Sequence, residues 1–336
     1  MIERFYRVLV STSLRSGRRV GGRGEEVSGS LLLGEVDTVE GSFRALRQVE
    51  LPPSPHRAGR RSVRGVAPFA GGIAACNTSQ LFLFDRELDG ILAVFSDRRF
   101  GDLHSIVLRD GVLYVAATAA DSVLGIGANF AEVFAWWAGA EPELLAFGAD
   151  HHRRRLPAGD DFRVQGRFRD RFHVNHVTFD EASGDMIVSL PDLHFEEGVS
   201  KFWNVTRRRF HLAGNPALAV LHGRIHDGAI FGGHHYFGWT EAGRFLKVCL
   251  RTGDVAAAVD CSVPLGSSTG NAVAVEHGWL RGAAHLDDEL FLVGQSKLTL
   301  FLVDMERGER SGPLRRLGVE GETDDPGLAI YCIAKL

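Results

Sequence analysis

Short apolar stretches, each broken by a turn and resumed at once, recur along this chain in place of long helical stripes. Five segments fall into one register: RGVAPFAGGIAACNTS from Arg64, HSIVLRDGVLYVAAT from His104, HVTFDEASGDMIVSL from His176, HDGAIFGGHHYFGWT from His226 and RGAAHLDDELFLVGQS from Arg281. In each, a polar residue opens a short apolar strand. A turn pair follows: Gly71-Gly72, Asp110-Gly111, Ser183-Gly184, Gly232-Gly233 or Asp287-Asp288. Such pairs favour tight hairpins. A second apolar strand comes next, and outer strands such as SQLFLFD, GRFLKVCL and LTLFLVDM follow several of the hairpins.

The units start about 40 to 72 residues apart, the range in which four-stranded propeller blades occur. No long amphipathic helix with caps interrupts them. A sixth unit assembles from both ends: LAIYCIAKL as an innermost strand, with RFYRVLV, SLLLGEV and SFRALRQVEL as the other three. The pattern therefore predicts an all-β chain: one six-bladed β-propeller domain over 1–336, closed by pairing N- and C-terminal strands in one blade, with seven blades as the alternative. Between His104 and His176 the interval is longest. Its polar stretch, 145–172, is expected to be an inserted loop, either a lid over the channel mouth or a surface excursion.

In a propeller the residue opening each innermost strand stands at one mouth of the central channel. The register thus gathers Arg64, His104, His176, His226 and Arg281 around one axis. Three neutral imidazoles are a set that holds a transition metal, so His104, His176 and His226 are the candidate metal ligands. Arg64 and Arg281 suit a carboxylate or phosphate. Asn175 and Asp227 flank the register and are counted with the substrate-binding residues. Loops returning to the same mouth add Asn77, Asp121, Asp192, His194, Glu241 and Lys297, of which Glu241 and His194 are the candidate proton-moving groups. A single histidine opening a strand is usually a hydrogen-bonded structural residue; it is the three in register that bring a metal or acid-base site level with that reading.

Composition narrows the picture. With 45% apolar residues, 24% charged and a net charge of -4, the chain lacks the basic excess of a nucleic-acid binder. The N-terminal apolar run is too short for a signal peptide or a membrane span, so a cytoplasmic protein is expected. Cys76, Cys249, Cys261 and Cys332 are far apart and form no CxxC pair. The GxSxG stretch at Gly266–Gly270 lacks the following helix that a nucleophile elbow needs.

Asp102-Leu-His104 before GVLYVAAT, Phe172-His-Val-Asn-His176, Ile225-His-Asp227 before HYFGW, and Gly278-Trp-Leu-Arg-Gly282 before ELFLVGQS resemble a bacterial family of uncharacterised propeller-like proteins. The resemblance covers roughly residues 64 to 300 and implies the fold without a reaction. In architecture the chain is also similar to the strictosidine-synthase, gluconolactonase and streptogramin-lyase group, which works at the axial mouth, several members with a divalent metal. The register of histidine and arginine favours iron or zinc over calcium. Two functions remain open: a metal-assisted lyase, hydrolase or oxygenase acting on a small anionic molecule, and a propeller that binds a ligand or protein without chemistry.

Overall fold

The computed structural model describes residues 4–19, 25–52, 54–56, 63–147, 161–163, 172–194, 199–212, 221–222, 224–240, 242–263, 280–295, 299–317 and 328–336. They form six small antiparallel sheets arranged in a ring, a six-bladed β-propeller.

Blade 1 joins both ends of the chain. Its strands, from the axis outward, are Leu328–Lys335, Phe5–Arg19, Ser30–Asp37 and Ser42–Glu50, and Arg315–Leu317 adds in parallel outside them. These are the four segments the sequence assigns to the closing blade. Blades 2 to 6 begin with Val66–Phe69, Leu103–Arg109, His176–Phe179, Ile225–Phe231 and Ala283–Asp287. Every innermost strand touches the next around the ring, and that of blade 6 touches Leu328–Lys335. Antiparallel pairing of the two chain ends closes the ring and leaves only short edges facing the axis.

Turn chemistry explains the hairpins. Ala70-Gly71, Asp110-Gly111 and Gly232-Gly233 each place two successive residues in the left-handed region, which type I′ turns need. In blade 2 the turn therefore sits one residue before the expected Gly71-Gly72.

Apolar layers fill the spaces between blades. Ala67, Leu81, Phe100, Ile106 and Leu124 pack blade 2 on blade 3, and Val123, Trp136, Val188 and Trp203 pack blade 3 on blade 4. Part of the 145–172 insertion belongs to these layers. Phe162 is buried between blades 2 and 3, and its N–H donates to the Arg98 carbonyl at 2.7 Å. Most of the insertion, and so the expected lid, lies outside the described residues. Among those residues no helix is long and apolar enough to cross a membrane.

Candidate functional site

Every innermost strand begins with the same irregularity. In blade 2 the Arg64 N–H donates to Cys76 O at 2.8 Å, while Cys76 N–H donates to Gly65 O at 3.0 Å, so two residues face one. Arg281, Gly282 and Gly294 repeat this in blade 6. Asn175 N–H reaches Ser189 O at 3.3 Å, and His176 lies opposite the same Ser189. In blades 3, 5 and 1 the pairing slips by one residue at the equivalent place. A bulge of this kind re-aims a side chain and bends the strand. Six times over, it brings a strand-opening residue into the axial cluster.

The residues so placed are Arg64, His104, Asn175, His226, Arg281 and Tyr331, all buried. One correction to the sequence register follows. In blade 4 the ring position belongs to Asn175, and His176 occupies the second bulge position, with Gly65, Ser105, Asp227, Gly282 and Cys332. His176 Nδ1 approaches Asp227 Oδ1 at 3.0 Å, without the alignment of a hydrogen bond. The Asp227 carboxylate also accepts the Gly282 N–H at 2.6 Å and so ties blade 5 to blade 6.

The contacts of the ring fix its protons. Arginine only donates, so Arg64 Nη1, 3.1 Å from His104 Nε2, makes that nitrogen an acceptor. The neutral ring then carries its proton on Nδ1, which lies 3.3 Å from the Tyr331 oxygen. Arg64 Nη1 donates to that oxygen as well. With its oxygen accepting twice, the phenol keeps its own O–H for a further acceptor. Across the axis, Ser189 donates its hydroxyl to Asn175 Oδ1, so Asn175 Nδ2 faces His226 Nδ1 at 3.1 Å as a donor. Nδ2 is 3.4 Å from His226 Nε2, and the shorter contact makes Nδ1 the acceptor and leaves the proton on Nε2.

Charge and stacking complete the cluster. The Arg64 and Arg281 guanidiniums, from the blades either side of blade 1, lie 4.7 and 4.6 Å from the centre of the Tyr331 ring. Asp102, buried and in the left-handed region, stands 3.5 Å from Arg64 Nη2 and 3.6 Å from His104 Nε2. His173 packs edge-on against His104 with ring centres 5.1 Å apart. Asp121 Oδ1 fixes the segment that carries it, accepting the N–H groups of Phe172 and His173 at 3.0 and 2.8 Å.

Burial drives the basicity of both ring histidines well below the ordinary imidazole value. At His104 the Asp102 carboxylate opposes the shift. At His226 it is reinforced by Arg281, His104, Arg224 and His173, all groups that carry or accept positive charge. Burial also disfavours the charge on Arg64, but Tyr331 and Asp102 outweigh it and the guanidinium holds its proton more firmly than usual.

Of the residues proposed from sequence, the structure brings together Arg64, His104, Asn175, His226 and Arg281, with Asp227 one residue outside the ring. Asn77 Oδ1 accepts the N–H groups of Ser79 and Gln80 and shapes a turn. Glu241, Lys297 and the side chains of Asp192 and His194 lie outside what the structure describes. Among the described residues there is no group of three His, Cys, Asp or Glu side chains disposed to hold a metal ion. Tyr331, Asp102 and His173 were not among the proposed site residues. Tyr331 lies in LAIYCIAKL, a segment whose strand the sequence identifies but whose alignment with the other five it does not give.

No protein-family profile and no curated protein matches the sequence. Solved structures do match in shape. The crystal structure of a protein of unknown function from Bacteroides caccae aligns over 97% of this chain and 99% of its own, with a TM-score of 0.57 and 12% identity. The WD40 β-propeller domain of Doa1 aligns over 97% and 89%, with a TM-score of 0.47 and 11% identity. At such identities the first likeness speaks to the fold alone.

Proposed function

We propose that the axial ring binds a small anionic molecule and donates a proton to it, making the protein an enzyme of the lyase or hydrolase kind. One observation carries this reading: with the protons where the contacts put them, the groups left over are donors. They are the Tyr331 O–H and the His226 Nε2–H, set beside the positive charges of Arg64 and Arg281, while the buried Asp102 carboxylate faces Arg64 and His104. A ligand that only accepts, a carboxylate or phosphate, complements such a set. Tyr331 is the general acid: it passes its proton to the oxygen of the leaving group, and the phenolate left behind is held by Arg64 Nη1–H and His104 Nδ1–H.

The metal-assisted version, with iron or zinc on His104, His176 and His226, has less support. Two of those imidazoles share the ring, whereas His176 is turned to Asp227. A second reading, a binding propeller without chemistry, draws on the mutual bonds of Arg64, Tyr331 and His104, which would also serve to brace three blades.

Thermal stability measured against a panel of small carboxylates and phosphates tests the proposal, followed by a turnover screen on those that bind. Stabilisation by an acid, lost in Arg281→Met, and turnover lost in Tyr331→Phe with binding retained, is the expected pattern. Binding without turnover in either protein supports the non-catalytic reading. Absence of stabilisation by any anion overturns anion binding itself.

A further inference from the structure

Three more imidazoles lie in the apolar layer between blades 4 and 5. The layer is built from Ile187, Phe202, Ile230, Phe237, Leu246 and Val248. His235 is fully buried in it, its ring centre 4.4 Å from that of Phe202. His211, on the outermost strand of blade 4, stands 5.3 Å from His235 between ring centres. At the axial side is His176, in one cross-strand row of blade 4 with Ser189, Phe202 and His211, the row on which His235 packs. His211 also lines a cleft of about 490 Å³ with Asp180, Asp185, Arg207, Arg209 and Phe210. The hairpin turns of blade 4 border that cleft, which puts it at the end of the blades opposite the axial ring.

This layer presents a physical anomaly. His176 Nδ1 and Nε2, His235 Nδ1 and His211 Nε2 are all buried without a hydrogen-bond partner. A buried imidazole nitrogen left unbonded gives up its hydration for nothing, so apolar side chains would fill these places more cheaply. The positions of the orphaned atoms are informative. They run in file from the cleft, through the blade interface, to His176 and Asp227, which are the chain neighbours of the ring residues Asn175 and His226.

We infer that His211, His235 and His176, joined by internal water, form a proton path from the cleft on the far face to the axial ring. A neutral imidazole accepts a proton at one nitrogen and releases another from its second, ending as the other tautomer with no net change of charge. Two to four polar partners are what an ordered internal water needs, and the orphaned nitrogens and the Asp227 carboxylate supply them. Burial keeps two of the rings out of the bulk titration: His235 is held far below the ordinary imidazole range, and His211 is pushed down to about 4, with Asp180 and Asp185 opposing and Arg209 assisting. The path thus works by tautomer exchange. Its purpose rests on the proposed proton donation by Tyr331, because a ligand seated at the axial mouth blocks resupply from that side. Its existence does not rest on that donation.

The test reads exchange rather than activity. In protein labelled with nitrogen-15 at histidine, the ring N–H of His235 and His176 is expected to exchange with water at least 100-fold faster than the backbone amides of Phe237 and Val188, and to report mixed tautomers. Closing the cleft end with His211→Phe is expected to slow ring exchange at His235 tenfold or more while those amides stay equally protected. Ring exchange as slow as the amides in the unaltered protein overturns the inference, whatever the variant does. Rapid ring exchange beside a failed anion screen would leave the path standing and the axial chemistry refuted.

Discussion

Asp102 holds two partners at once in a place where solvent gives no help. It is buried against Arg64 and His104, and removing one member of a buried charged set leaves the other uncompensated. Asp102→Ala is expected to lower the free energy of unfolding by about 3 kcal/mol, read from urea denaturation. A loss below about 1 kcal/mol would mean that Arg64 is balanced elsewhere. The buried histidines set a pH dependence of definite sign. His104, His226 and His235 have folded-state affinities for protons pushed well below normal, first by burial. Below about pH 6.5 the unfolded chain takes up protons that the folded chain refuses, so stability is fully present above that pH and drains away as pH falls. Each such histidine steepens the fall by up to about 1.4 kcal/mol per pH unit. Urea midpoints at pH 7.5, 6 and 5 should decline less steeply in His235→Phe than in the unaltered protein; equal slopes would contradict the account.

At the scale of the element, the bulge decides what each strand can contribute. Gly282 occupies the second bulge position of blade 6 with φ of +75°, and an added Cβ would come within 3.1 Å of Ile330 Cγ2 and Ile333 Cγ1. Gly71, in a hairpin turn, has almost the same φ, and nothing lies within 4 Å of its Cβ position. Gly71→Ala should therefore cost about 1 kcal/mol, the backbone term alone, and Gly282→Ala clearly more, because the blade 1 side chains must also yield. Equal thermal shifts would argue against close packing at the seam. The bulge also marks the limit of sequence reading. Strand, turn and blade were legible because alternating apolar residues and Gly or Asp pairs report local backbone preference. A bulge has no such signature, and it shifted the blade 4 register from His176 to Asn175. Tyr331 was hidden differently: its strand was recognised, but the place of its phenol depends on Arg64 and Arg281, hundreds of residues earlier or on the neighbouring blade. Asp102 and His173 escaped because they sit ahead of the strands, in left-handed conformations that no periodicity predicts.

For the whole molecule, closure of the ring is what makes the site. Leu328–Lys335 pairs with Phe5–Arg19 and carries Tyr331 into contact with residues from blades 2, 3 and 6. A chain ending at residue 327 should lose its cooperative unfolding transition and aggregate through the exposed strand; an unchanged midpoint would show that the seam is dispensable. The central claim is that side chains from all six blades converge on one anion-binding axis. Its most direct measurement is anomalous diffraction from crystals soaked in low-millimolar selenate. The account predicts a selenium peak on the axis within hydrogen-bonding distance of Arg281 and the Tyr331 hydroxyl, absent in Arg281→Met. Selenium found only at the outer surface, with the axial ring empty in both proteins, would contradict it.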